Sequence, residues 1–365
     1  MRARAGDRIT DVAGLGVGHA TRLDADVTAA APDAPGRGWA TGTTVVTVPD
    51  GAVTAVDVRG GGPGTRETDL LDPVNTVRGA HAIVLSGGSA YGLAAADGAM
   101  RALEADGRGL PMDLLGHVVP IVPAAVIFDL PVGAWELRPD ADFGARALRA
   151  ASDDFAIGTV GAGTGARAGA LKGGVGTASS TLHDGPARGL TVGALVVANP
   201  VGSVIDPATG LPWGRDDLDR HGLGTPAASE VAAHAALGAK GTPLNTTIGV
   251  VATDAALPVA AARRLAMAGH DGLARAIRPA HSPLDGDTLF AVATGGTTAD
   301  PDAVVPMPPG MDPAAPVTAA LSEAAAVVVQ RAVVSAVLAA TGVAGIPAYR
   351  DVLGSAFTAG PGSLR

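Results

Sequence analysis

Four short strings in this chain carry residues that could do chemistry, and each makes its own demand on its surroundings. Gly87-Gly88-Ser89-Ala90-Tyr91-Gly92 follows an apolar run and opens a helical pattern, the setting in which a strand-to-helix turn presents a serine nucleophile. That motif needs Gly at position 91, where this chain has Tyr; the spacing therefore favours a structural turn and helix N-cap at Ser89. Gly161-Ala162-Gly163-Thr164-Gly165-Ala166 loosely matches a dinucleotide-binding loop, but no acidic partner ends a following strand. Asp285-Gly286-Asp287 offers two carboxylates without the other ligands of a calcium loop, and reads as a turn ahead of a strand. Asn245-Thr246-Thr247 matches a glycosylation acceptor, which matters only in secreted chains, and taken alone is an ordinary strand start. The eight histidines form no HExxH or other close ligand pair, so neither a metal nor an organic cofactor is expected.

The elements that must position these strings follow from periodicity. Strands are predicted over Thr43–Val48, Val53–Val58, Ala82–Leu85, Leu190–Ala198, Thr246–Thr253 and Thr288–Thr294, most of them bounded by Gly, Pro, Asn or Asp. Ala-rich helical patterns cover Ser89–Ala105, Pro226–Leu237, Pro258–Ile277 and Pro313–Thr341. Strands come in pairs followed by helices, which favours a layered α+β sandwich over a doubly wound parallel sheet. The polar, turn-rich tract from Asp206 to Asn245 reads as an exposed connection into a strand.

Composition narrows the class. Of 365 residues, 47% are hydrophobic but only 3% aromatic, so the interior must be filled by Ala, Val, Leu and Ile in close-packed layers. A net charge of -9 with scattered basic residues argues against nucleic-acid binding. With no cysteine, disulfides, thiolate metal sites and Cys nucleophiles are excluded. The N-terminal stretch interleaves Asp7 and Asp11 with its basic residues, unlike a signal peptide, and a cytoplasmic location is expected. Pro313–Thr341 carries Glu323, Gln330 and Arg331 and ends at Gly342, as a buried helix does, so no membrane span is expected.

Several long strings together resemble the DmpA-type aminopeptidase family, which includes β-aminopeptidases and nylon-oligomer hydrolases. They are ITDVAG from Ile9, VGH from Val17, RGGGPGTRETDLLDP from Arg59, VLSGGSAYGLAAADG from Val84 and PAAVIFDL from Pro123. LKGGVGTAS from Leu171, ANPVG from Ala198 and NTTIGVVATDA from Asn245 continue the match through most of the chain. The resemblance implies an αββα sandwich forming a single hydrolase domain over residues 1–365, cut by itself into chains 1–245 and 246–365 that stay together. It also implies a homo-oligomer of such processed heterodimers. By motif, it gives Thr246 the nucleophile's place, Lys172 a place beside it, Asn199 a share in holding the oxyanion, and Asp285 and Asp287 the paired acidic positions of the nylon-hydrolase branch. Where some members carry a contributing Tyr, this chain has Phe128 and lacks the hydroxyl.

These residue types suit the chemistry. A Thr hydroxyl needs a base, and a free α-amine on the same residue supplies one at short range; an α-amine ordinarily titrates at about 7.7 to 8.0, which leaves a neutral fraction near pH 7. Only scission of the Asn245-Thr246 bond creates that amine. A positive Lys172 near Thr246 would favour deprotonated hydroxyl and amine, and Asp285 and Asp287 could orient the lysine or the new ammonium. The expected function is an aminopeptidase acting on small peptides or amino-acid amides. The Asn-Thr junction and the Asp-Gly-Asp pair point also to endo-type amide hydrolysis, while Phe128 keeps open an uncleaved binding homologue. A hydrolase built on Ser89 is the third alternative.

Overall fold

Alternating burial along the apolar strands decides how this protein is layered. The segment Thr191–Ala198 turns Val192, Ala194, Val196 and Ala198 towards one apolar cluster and Leu195 and Val197 towards another, as a pleated strand buried on both faces must. The computed structural model describes residues 6–214, 218–238, 245–298 and 305–357; part of the polar tract expected just ahead of Asn245, residues 239–244, lies outside them.

The strands are β1 (Gly16–Leu23), β2 (Ala40–Thr47), β3 (Val53–Val58), β4 (Thr65–Arg66), β5 (Ala82–Ser86), β6 (Leu110–Pro111), β7 (Val118–Val119), β8 (Ala124–Val126), β9 (Arg167–Ala168), β10 (Leu171–Lys172), β11 (Gly174–Thr181), β12 (Thr191–Ala198), β13 (Ile248–Ala255) and β14 (Thr288–Thr297). The helices are α1 (Ala95–Ala105), α2 (Ala141–Arg149), α3 (Ala228–Ala235), α4 (Val259–Ala276), α5 (Ala315–Leu338) and α6 (Tyr349–Val352). One five-stranded sheet runs β1-β2-β5-β8-β4 and the other β11-β12-β13-β14-β3. Each contains a single parallel pair, β5 with β8 and β13 with β14.

Helices cover the two outer faces. Ala99 and Leu103 of α1 and Phe143 and Ala147 of α2 pack on Val45, Ala82 and Val84 of the first sheet. Leu265 and Leu273 of α4 and Val329 and Val333 of α5 pack on Val192, Val196 and Leu289 of the second. Between the sheets, Val46, Ile83 and Leu85 meet Leu195, Val197, Val250 and Phe290. The order helices, sheet, sheet, helices is the αββα sandwich that the motifs implied. The apolar segment near the C-terminus is α5, largely buried in this packing.

Small residues let the layers close on one another. A Cβ at Gly176 of β11 would lie 2.0 Å from the Ala332 carbonyl oxygen of α5, and one at Gly98 of α1 1.6 Å from the Ala141 oxygen of α2. An interior poor in aromatics thus reaches native density by backbone-to-backbone approach.

Candidate active site

Register brings five chain segments to one end of the second sheet. Gly174, which starts β11, pairs with Ala198 at the end of β12. Val197 pairs with Ile248 at the start of β13, Ile248 with Thr288 at the start of β14, and Thr288 with Val58 at the end of β3. Lys172, Asn199, Thr246 and the Asp285-Gly286-Asp287 turn therefore all project from this end, joined by the Arg59-Gly60-Gly61-Gly62 loop that follows β3.

Thr246 is buried and held at two atoms. Its N–H donates to the Asn199 carbonyl oxygen at 3.1 Å, and its hydroxyl donates to the carbonyl oxygen of Asn245. That same oxygen accepts the N–H of Gly286 at 3.1 Å. A hydroxyl and a backbone N–H thus meet on one carbonyl oxygen, that of Asn245. The predicted strand from Thr246 begins instead at Ile248. The reason is local: the Thr247 N–H is taken by the Asp287 side chain, Oδ1 at 2.7 Å, which leaves a single backbone bond, Thr246 N–H to Asn199, to carry the β12–β13 register past Ile248.

Asp285 and Asp287 are buried and committed to local donors. Asp285 accepts the N–H of Ser282 at 3.1 Å through Oδ2 and that of Val201 at 3.3 Å through Oδ1. Burial, and then the charge of Asp287, raise the Asp285 carboxyl above its ordinary pKa. Asp287 Oδ2 accepts both the backbone N–H of His281 at 3.2 Å and its Nδ1 at 2.8 Å. Burial lowers the His281 imidazole, but the hydrogen bond and charge of Asp287 outweigh it and leave the pKa raised. Among the described residues neither carboxylate bonds to Lys172; both hold backbone N–H groups, and Asp287 also holds the His281 ring. The glycine loop seals this turn: Arg59 and Gly60 donate N–H to the Asp287 carbonyl at 2.9 and 3.2 Å, and Gly62 donates to that of Asp285 at 2.8 Å. A Cβ at Gly60 would stand 2.3 Å from the Asp287 nitrogen, which accounts for glycine there.

Lys172 is fully buried, and its Nζ donates to the carbonyls of Gly163 at 2.7 Å and Gly173 at 2.8 Å. The glycine run at 161–165, whose spacing loosely matched a dinucleotide loop, thus gives one of its carbonyls, that of Gly163, to the lysine amine. Among the described residues Lys172 makes no hydrogen bond to Thr246; the link runs through Arg167, which pairs with Lys172 across β9 and β10 and donates its N–H to Asn199 Oδ1 at 2.9 Å. Burial lowers the Lys172 amine to about 7, opposed by the charge of Asp129. Because the folded pKa lies below the unfolded value of 10.5, the unfolded chain binds more protons between those values and stability rises with pH across that window. Lys172→Met is expected to remove this rise, a difference of a few kcal/mol at roughly 1.4 kcal/mol per unit. Thermal midpoints of both proteins from pH 7 to 10 check it, and parallel curves would refute it.

Asn199 contributes its backbone oxygen to Thr246, while its Nδ2 donates to the Phe128 carbonyl at 3.4 Å. The backbone donor on the Asn245 oxygen is the Gly286 N–H, which side-chain motifs do not reveal. Also unassigned by the motifs were His281 and Asp129; Asp129 accepts the Thr41 hydroxyl at 2.7 Å and the Gly88 N–H at 2.6 Å. Ser89 has φ +52° and follows Gly88 at φ +84°, with Gly88 and not Ser89 in the cap position of the 3-10 turn Ser89–Ala94. It is a turn residue, as its spacing suggested.

The layering is that of the N-terminal-nucleophile hydrolase fold. The chain superposes on a β-aminopeptidase of Burkholderia sp. with a TM-score of 0.65 and 28% identity, covering 98% of this chain and 93% of that one. It superposes equally, at 22% identity over 91% of this chain and 86% of the other, on the L-aminopeptidase D-Ala-esterase/amidase of Ochrobactrum anthropi, a serine aminopeptidase with a variant of the Ntn hydrolase fold. The chain belongs to peptidase family S58, which it matches over residues 7–350. It is 59% identical over 353 residues to an uncharacterized aminopeptidase of Mycobacterium tuberculosis (strain ATCC 25618 / H37Rv), covering 96% of this chain and 98% of the relative. It is 34% identical over 262 residues to the 6-aminohexanoate-oligomer endohydrolase of Kocuria sp. (strain KY2), covering 70% and 69%. The protein is thus a peptidase or amidohydrolase.

Proposed function

We propose that this protein activates itself by breaking the Asn245-Thr246 bond and then works as an aminopeptidase on small peptides or amino-acid amides, through an acyl-enzyme on Thr246. The observation that carries the reading is the Asn245 carbonyl oxygen, shared by the Thr246 hydroxyl and the Gly286 N–H. Attack by Oγ on the Asn245 carbonyl carbon forms a tetrahedral oxyanion facing Gly286. Its collapse breaks the C–N bond, the Thr246 nitrogen takes up a proton, and water hydrolyses the resulting ester. The freed amine starts from its place beside the Asn199 carbonyl and next serves as the base for the same hydroxyl.

Denaturing electrophoresis with N-terminal sequencing tests this. Two fragments are expected, residues 1–245 and 246–365, the second beginning TTIGVV; a single intact chain in active protein would overturn the reading. The Asp285-Gly286-Asp287 turn and the endohydrolase relatives favour a second substrate class, internal amide bonds of oligomers. Comparing α-, β- and D-aminoacyl amides with N-blocked amide oligomers separates the two, since only an aminopeptidase needs the free substrate amine.

A further inference from the structure

We infer that His281 is a positioning residue for the scissile segment, acting through Asp287 on the backbone that carries the nucleophile. The inference rests on the self-cleavage reading above. Asp287 bridges two partners: Oδ2 receives both the backbone N–H and the ring Nδ1 of His281, and Oδ1 receives the N–H of Thr247, the residue after the nucleophile. Two donors on one carboxylate oxygen fix the side-chain torsion, so the other oxygen is left aimed at Thr247. The chain passes into Thr246 without an intervening rotatable side chain.

The backbone at His281 supports a demand for this ring. Its φ is +54°, in the left-handed region where Gly or Asn is the low-cost choice. Glycine there would supply no ring nitrogen to Asp287. The ring is also braced from behind: it meets His270 of α4 edge-on, with centroids 4.9 Å apart. His270 in turn sets its Nε2 3.0 Å from the Asp57 carbonyl oxygen at the end of β3. The charged groups near this pair are Asp287, Asp57 and Arg59, and Arg59 Nε is held by Asp57 Oδ2 at 2.6 Å. The brace therefore links α4 and β3 to the start of β13, across the same sheet end that gathers the catalytic groups.

Asparagine makes the decisive test, because its Nδ2–H falls where the imidazole Nδ1–H lies and it tolerates positive φ. Glutamine, one carbon longer, places its amide nearer the Nε2 position. Wild type, His281→Ala, His281→Asn and His281→Gln precursors are compared for rate of scission at Asn245-Thr246 and for kcat and KM on an aminoacyl anilide after scission, with Thr246→Ala as the uncut control. Losing a charge-assisted hydrogen bond is expected to slow scission in His281→Ala by about 10- to 100-fold. His281→Asn is expected within about fivefold of wild type, because it keeps the bond but not the charge. His281→Gln should resemble Ala.

Wild-type scission rates in His281→Ala would overturn the inference. So would a folded His281→Asn as slow as His281→Ala, or, should the Ala variant not fold, equal rates for Asn and Gln. A wild-type chain that is never cut brings down the parent reading as well, whereas a wild type that is cut alongside indifferent variants removes only the role of His281.

Discussion

Thr246→Ala is expected to give one uncut polypeptide without detectable hydrolase activity. The hydroxyl is the only side-chain nucleophile against the Asn245 carbonyl among the described residues, and the α-amine that would activate it exists only after scission. Removing it therefore abolishes both reactions at once, with turnover down on the order of 10⁴-fold or more. Thr246→Ser retains an oxygen at the same carbon and is expected to process and to turn over, both more slowly. Intact-mass analysis follows scission and release of an aminoacyl chromophore follows turnover. An Ala variant that is cut normally, or that hydrolyses at the wild-type rate, would place the nucleophile elsewhere.

The second large effect is expected from a residue with no side chain. Gly286 sits so tightly that an added Cβ would lie 2.7 Å from the Gly62 carbonyl oxygen, 2.8 Å from Thr246 Oγ and 3.1 Å from the Pro63 Cα. Gly286→Ala must push the turn away from the glycine loop and from Thr246, lengthening the 3.1 Å contact between its N–H and the Asn245 oxygen. Loss of one preorganised oxyanion donor costs roughly 10²- to 10³-fold in rate, so the precursor is expected to persist. Circular dichroism and thermal unfolding establish that the variant is folded, and the precursor's half-life gives the rate. A folded Gly286→Ala precursor that matures as fast as wild type would exclude this N–H as the oxyanion donor.

Local pattern made much of the scaffold legible. β3 matches its expected span, and β2, β5, β12 and β14 lie within three residues of theirs, because β-branched runs between turn residues leave few alternatives. The long patterns at α4 and α5 were equally plain. β1, α2 and β11 escaped the same reading. In β1 and β11 the sequences Gly16-Val17-Gly18 and Gly174-Val175-Gly176 interleave glycine, which weakens strand propensity. The structure needs glycine there: a Cβ at Gly18 would lie 2.1 Å from the Ala147 oxygen of α2, as one at Gly176 would collide with α5. A packing requirement overrode a local preference.

What the sequence by itself determined was the inventory: a cysteine-free chain of small apolar residues, β-branched strand runs between turn residues, and the motif strings that hold Thr246, Lys172, Asn199, Asp285 and Asp287. Tertiary structure alone decided which atoms meet there. It set the Gly286 N–H on the Asn245 oxygen, gave Lys172 to the carbonyls of Gly163 and Gly173, and tied Asp287 to His281 and Thr247. The physical reason is that these contacts use backbone donors and acceptors, which nearly every residue carries. Only the register of β3, β11, β12, β13 and β14 says which of them come within hydrogen-bonding distance.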